Sequence, residues 1–262
     1  MPIIVRSSVP LRRPDEREFG RISYEVSGHV FAIHNEFGRF FEEGIYKREL
    51  ARRMRDIELE VPVEVTFGEY RKVYFLDALV AGSAVFEFKV VDALTDRHRS
   101  QLLNYLMLCD LPHGKLFNVR PEQVEHEFAN APVPSDVRRR FDIEEVNWTE
   151  HGSIPIREWL TAFVRDVGTS LDVSLYEDAL IHHLGGAAIV ERRINVLSQE
   201  AILGQQTFRL AGSAAWKITT FNEHLEGFVI HAQRLLEHCH LPALQWINIA
   251  RDRLSFRTLH PT

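Results

Sequence analysis

Apolar residues recur at helical spacing at Ile22, Val26, Val30 and Ile33, which predicts an amphipathic helix over residues 22–37. A second helix is expected over about residues 41–55, where Glu43 and Tyr46 share a face with Leu50 one turn further on. Glu42 points about 100° away around that helix, toward solvent. The period then changes. VPVEVTF at 61–67 alternates like a strand, with Pro62 near its start where a missing amide is tolerated, and Gly68-Glu69 turns the chain. YFLDALVAGSAVFEFKVV at 74–91 reads as a β-hairpin reversing at Ala81-Gly82-Ser83. Thr95 is a plausible N-cap for a third helix with Leu102, Leu103, Leu106 and Met107 as its buried stripe, and GKLFNV at 114–119 supplies a last strand. The order is αβββαβ.

The hairpin carries the chemistry. A turn centred on Gly82 pairs residues whose numbers sum to 164, which sets Asp77 opposite Glu87. Facing carboxylates repel, so positive charge is expected between them. Glu87 and Lys89 leave the strand on one face, while Phe86, Phe88 and Val90 leave on the other, into the core. The hard oxygens of Asp77 and Glu87 suit Mg²⁺ (or Mn²⁺), and Lys89 could orient a water or support the transition state. A solvated strand face is the competing explanation of the same residues.

The second half echoes the first. At a shift of 130 residues Ala81-Gly82-Ser83-Ala84 recurs as Ala211-Gly212-Ser213-Ala214, and Cys109, Leu111, Pro112 and Asn118 recur as Cys239, Leu241, Pro242 and Asn248. Gly38, Tyr46 and Leu50 likewise meet Gly168, Tyr176 and Leu180. A repeat this long is a whole domain. The chemistry does not recur: Glu43, Asp77, Glu87, Lys89 and Gln101 map to Val173, Thr207, Lys217, Thr219 and His231. Thr207 opposite Lys217 has no negative charge to hold Mg²⁺, so the second copy is expected to keep the fold as a pseudo-dimer partner or an interaction surface. The expected domains are an arm at 1–20, an intact domain at 21–128, a linker of mixed charge at 129–155 containing Arg138-Arg139-Arg140, and a degenerate repeat at 156–262.

Composition narrows the class. A chain of 262 residues with 45% hydrophobic and 26% charged residues is an ordinary globular one, large enough for two cores. No apolar run approaches the roughly 20 residues that span a bilayer, and the sequence opening MPIIVR lacks the apolar segment of a signal peptide, so a cytoplasmic protein is expected. Cys109 and Cys239 set no disulfide framework. The net charge of -6 gives no global attraction to nucleic acid, so any contact needs a local basic surface. Arg48, Arg52, Arg53 and Arg55 on the second helix are candidates for one, as are Arg12 and Arg13 in the arm; a solubilising role is the alternative for both groups. His224, His231, His238 and His240 around Cys239, with His182-His183 upstream, would suit a transition metal. Cys239 matches Cys109, which has no such histidines, and reads as a small core residue.

An acidic residue on one strand followed by Glu-x-Lys on the next resembles the PD-(D/E)XK nuclease superfamily. The flanks IHNEFG at 33–38, EGIYKREL at 43–50 and HRSQLLNYL at 98–106 are similar to its GxxExxY family over about residues 20–120, with Phe40 standing where the namesake glycine falls, three before Glu43. The resemblance implies a restriction-endonuclease-like domain of mixed α/β class, and the internal repeat makes it a tandem. It also implies Glu43 as a further ligand or water orienter and Gln101 near the active site. Tyr105, Arg48 and Arg52 are the expected substrate contacts. The function expected is metal-dependent hydrolysis of DNA or RNA; a silent nucleic-acid-binding or protein-interaction module of the same fold is the alternative.

Overall fold

The computed structural model describes residues 2–262, which divide into two compact units, residues 2–135 and 136–262. In the first unit β1 (Ile3–Val5), α1 (Glu16–Phe37), α2 (Glu43–Arg53), β2 (Ile57–Phe67), β3 (Tyr70–Val80), β4 (Ala84–Lys89), α3 (Asp96–Cys109), β5 (His113–Asn118) and β6 (Glu125–Asn130) follow in order. The strands form one mixed sheet in the order β1-β2-β3-β4-β5-β6, antiparallel throughout except for the parallel pair β4 and β5. That parallel pair needs a crossover, and α3 is the crossover.

α1 starts where the Asp15 carboxylate accepts the Glu18 amide at 2.7 Å. It ends at Gly38, whose φ of 73° few side chains tolerate. Its predicted stripe, Ile22, Val26, Val30 and Ile33, is buried with Tyr46 and Leu50 of α2 against Phe86, Phe88 and Phe117. α3 packs elsewhere on the sheet, where its Leu102 and Leu106 close around Gly114; an added Cβ there would lie 3.0 Å from Leu102 and 3.1 Å from Leu106.

The second unit contains α4 (Ser135–Arg138), β7 (Asp142–Val146), α5 (Arg157–Val167), α6 (Val173–His183), α7 (Ala187–Val190), β8 (Glu191–Ser198), β9 (Ala201–Ala211), β10 (Ala214–Thr219), α8 (Leu225–Cys239), β11 (Leu244–Ile249) and β12 (Arg253–Leu259). Its sheet runs β7-β12-β11-β10-β9-β8, and β8 to β12 repeat the neighbours and directions of β2 to β6, with β10 and β11 the parallel pair that matches β4 and β5. Residues 130 apart also make the same bonds. Tyr46 and Tyr176 each donate to a glycine carbonyl at 2.7 Å, Gly38 and Gly168 respectively. Asn118 and Asn248 each clamp one backbone amide and carbonyl, those of Val91 and Phe221.

Three expectations change. Residues 1–20 are not only an arm: Ile3–Val5 pairs with β2 as an edge strand, and α1 already begins at Glu16. Arg12 and Arg13 are held by Glu18 at 2.6 Å and Asp110 at 2.5 Å. The expected linker at 129–155 holds the end of β6, α4 and β7, and β7 runs parallel to β12 at the far end of the chain. Arg138, read with its neighbours as a charged run, is 1% exposed and donates to the carbonyls of Val167 and Thr169. The hairpin of the second unit also differs from the expected register. Ala211 pairs with Ala214 and Leu210 with Ala215, one step out of phase with the first hairpin, so continuing the ladder brings Phe208 rather than Thr207 across from Lys217.

Candidate active site

The first hairpin pairs Val80 with Ala84, Leu79 with Val85 and Ala78 with Phe86, the register centred on Gly82. The backbone ladder stops one step before Asp77 and Glu87. There the Asp77 side chain takes over, its Oδ2 accepting the Phe88 amide at 2.8 Å. On the other flank β2 pairs Leu59 with Ala78 and Val61 with Leu76, which leaves Glu60 level with Asp77. Glu60 has a φ of 52° inside a strand, an unusual conformation for a side chain of this kind. Three adjacent strands therefore present carboxylates at one level: Glu60, Asp77 and Glu87.

α2 adds two residues one turn apart, Glu43 and Lys47. Lys47 Nζ lies 2.7 Å from Asp77 Oδ1 and 3.0 Å from Glu43 Oε1, and also donates to Glu60. Lys89 Nζ contacts Glu87 Oε1 at 2.6 Å. The expected positive charge between the acids is thus supplied in part by the chain's own lysines, and Asp77 has both oxygens engaged. From α3, Gln101 donates to the Tyr105 hydroxyl at 2.9 Å, and Tyr105 stands edge-on to Tyr74.

Formal charge decides what this cluster lacks. Fully ionised, the four carboxylates against two ammonium groups would carry a net charge of minus two, in a site where Glu87 is 1% exposed. Burial, then the charge of Asp77, pushes the Glu87 carboxyl up to about 8, against the pull of Lys89. Its Oε2 is buried with no hydrogen-bond partner among the described residues. Burial lowers the proton affinity of Lys47, but Asp77, Glu60 and Glu43 outweigh it and hold the ammonium above the ordinary lysine range. Burial pushes Tyr105 up to about 12, so at neutral pH its hydroxyl is a proton donor.

Among the described residues no three His, Cys, Asp or Glu side chains are gathered tightly enough, as they stand, to hold a metal ion. The donor set nevertheless fits a hard divalent cation: the ligands are oxygens, one buried carboxylate oxygen is unsatisfied, and the surplus charge of the fully ionised set equals that of the ion.

Arg52 is gripped by both oxygens of Glu49 at 2.8 and 2.9 Å, and Arg53 by Glu49 and Glu36. Arg48 is the exposed arginine of α2 with no ion pair among the described residues. The expected basic face is therefore mostly self-neutralised. The histidines of the second half disperse: His238 bonds the Leu197 carbonyl, His240 caps α8, and His183 stacks on Trp159 at 4.2 Å.

Lys47 and Glu60 do not figure in the sequence expectations. Lys47 was signalled by its place four residues after Glu43 on one helix face. Glu60 had no such signal, because the alternating pattern begins at Val61.

No curated protein matches the sequence. A solved structure described as "Crystal structure of SSO0001" aligns with 44% of this chain and 63% of its own, at 23% identity and a TM-score of 0.31. The chain thus spans less than two thirds of that protein. Residues 20–130, the span from α1 to β6 that carries Glu43, Asp77, Glu87 and Lys89, match the model of the PD-(D/E)XK nuclease superfamily.

Proposed function

We propose that the first unit is a divalent-metal-dependent nuclease that hydrolyses phosphodiester bonds of DNA or RNA. One observation carries this reading: the buried Glu87 Oε2 is unsatisfied beside Asp77, in a cluster whose surplus charge calls for a cation. The superfamily match over residues 20–130 supports it. Within that superfamily we read the unit as resembling the GxxExxY family, on the sequence blocks around Glu43 and Gln101.

Asp77 and Glu87 would hold Mg²⁺ or Mn²⁺, with Glu43 as a third ligand or water orienter. What a divalent cation supplies there is neutralisation of phosphate charge and a lowered pKa for water. Lys89, held by Glu87, would stabilise negative charge on the phosphate as it builds up. Gln101 and Tyr105 form a donor pair for a phosphate oxygen. Arg48 meets the backbone from α2. Lys47 has to leave Asp77 for the ligand set to form.

The second unit we read as a duplicated copy without the hydrolytic site, kept as a pseudo-nuclease partner domain. The shared strand order and the matched tyrosine and asparagine bonds support duplication.

A catalytically silent module of the same fold is the competing reading, and one observation favours it: Asp77 is already saturated by Lys47 and the Phe88 amide. Incubating the protein with single- and double-stranded DNA and RNA plus Mg²⁺ or Mn²⁺ separates the two. Cleavage that Lys89→Ala abolishes supports the nuclease; binding without cleavage supports the module.

A further inference from the structure

The second unit has a cavity of about 600 Å³, within the range of small-molecule sites, at the position that corresponds to the carboxylate cluster of the first. Lys217 on β10 pairs with Trp246 as Glu87 pairs with Leu116, and Glu177 on α6 stands 130 residues after Lys47. The charges are exchanged. Where a lysine sits among acids in the first unit, Glu177 sits between Arg209 at 2.8 Å and Lys217 at 3.4 Å. Glu191 contacts Arg209 at 3.8 Å, so two acids and two cations cancel. A phosphate approaching the first cluster meets net negative charge and needs a metal; one approaching this cavity does not.

The floor differs as well. Phe208 takes the level of Asp77, and with Phe228, Leu235 and Leu244 it makes an aromatic and aliphatic base. Trp216, next to Lys217 on β10, leaves on the opposite face, is 3% exposed and has Arg209 over its ring at 5.5 Å from the centroid. At the rim, Lys217 is 55% exposed and only loosely held by Glu177, and His231 lines the same mouth.

We infer that this cavity binds a nucleotide without metal, the base lying on the Phe208 and Phe228 floor and the phosphate meeting Lys217 and His231. A flat heteroaromatic ring stacks on such a floor whatever its identity, while the charged rim requires the phosphate. The inference does not rest on hydrolysis in the first unit.

The test is calorimetry and tryptophan fluorescence on the full chain in EDTA, with a nucleoside, inorganic phosphate, a nucleoside 5′-monophosphate and a single-stranded hexanucleotide as probes. The monophosphate is expected to bind about tenfold or more tighter than the nucleoside or phosphate alone, since both halves of the site are then used. Lys217→Glu, at an exposed position, is expected to weaken it by about tenfold, and Glu177→Gln, which releases Arg209 and Lys217, to tighten it. If the hexanucleotide binds as well as the monophosphate, the natural ligand is a strand; if it does not, the ligand is a free nucleotide. No detectable binding of the monophosphate, or equal binding by Lys217→Glu and the unaltered protein with its unfolding temperature unchanged, overturns the assignment.

Discussion

Lys47 Nζ lies 2.7 Å from Asp77 Oδ1, and this contact ties helix α2 to the strand that carries the candidate ligand. The lysine is 7% exposed and shares its charge with Glu43 and Glu60 as well. It acts as a tethered cation in a cluster that otherwise repels itself.

Removing that cation should make the fold lean on a free one. Without metal, Lys47→Met leaves buried Asp77 without its ion-pair partner, a loss of about 3–5 kcal/mol by comparison with other broken buried pairs. Millimolar Mg²⁺ should then raise the unfolding temperature of Lys47→Met more than that of the unaltered protein, because an ion that binds only the folded state stabilises it in proportion to its affinity. Equal stabilisation of both proteins would show that Lys47 and the ion do not compete.

Glu87 predicts a pH dependence with a definite sign. An unfolded glutamate releases its proton near about 4.3, whereas folded Glu87 keeps it up to about 8. Between those values the folded state binds more protons than the unfolded one, so stability falls as pH rises through that window. Unfolding temperatures measured in EDTA should show this decline, and Glu87→Gln should flatten it. Mg²⁺ should reduce it too, by taking the place of the proton.

The left-handed backbone at Glu60 separates geometry from charge. Glu60→Gly relieves a φ of 52° and forfeits only a half-exposed ion pair, so it is expected to be neutral or to stabilise the protein by about 0.5–1 kcal/mol. Glu60→Val, which keeps the strain and adds a β-branch, should destabilise it. Urea unfolding of the two variants checks the order.

The matched tyrosines give a comparison within one chain. Each hydroxyl donates to a glycine carbonyl and accepts an amide, Tyr46 at Gly38 and Phe41, Tyr176 at Gly168 and Leu171. Phenylalanine leaves both groups unpaired and should cost about 1–3 kcal/mol at each site. Tyr176→Phe should cost more, since the bonds it breaks at Leu171 are fully buried while those at Phe41 are partly exposed. Separate unfolding transitions of the two units, if resolved, assign each loss.

Much of this was written in local patterns. The stripe from Ile22 to Ile33, the hairpin register about Gly82 and the shared face of Gln101 and Tyr105 all follow from periods of 3.6 and 2, and each appears in the fold. What escaped depends on distant partners. β7 is a strand only because β12, more than a hundred residues later, accepts it. Arg138 is buried because the end of α5 offers it carbonyls, which a run of three arginines does not announce. Glu60 enters the site through one unusual dihedral angle, and no pattern of side chains encodes that.

The most direct measurement is cleavage of labelled single- and double-stranded DNA and RNA in Mn²⁺ by the unaltered protein, Lys89→Ala and Glu87→Gln, each with an EDTA control. The account predicts phosphodiester cleavage that needs the metal and falls by about a hundredfold or more in both variants, in line with the loss of an essential charged group. Cleavage that persists undiminished in both variants, or no cleavage of any substrate, would contradict it.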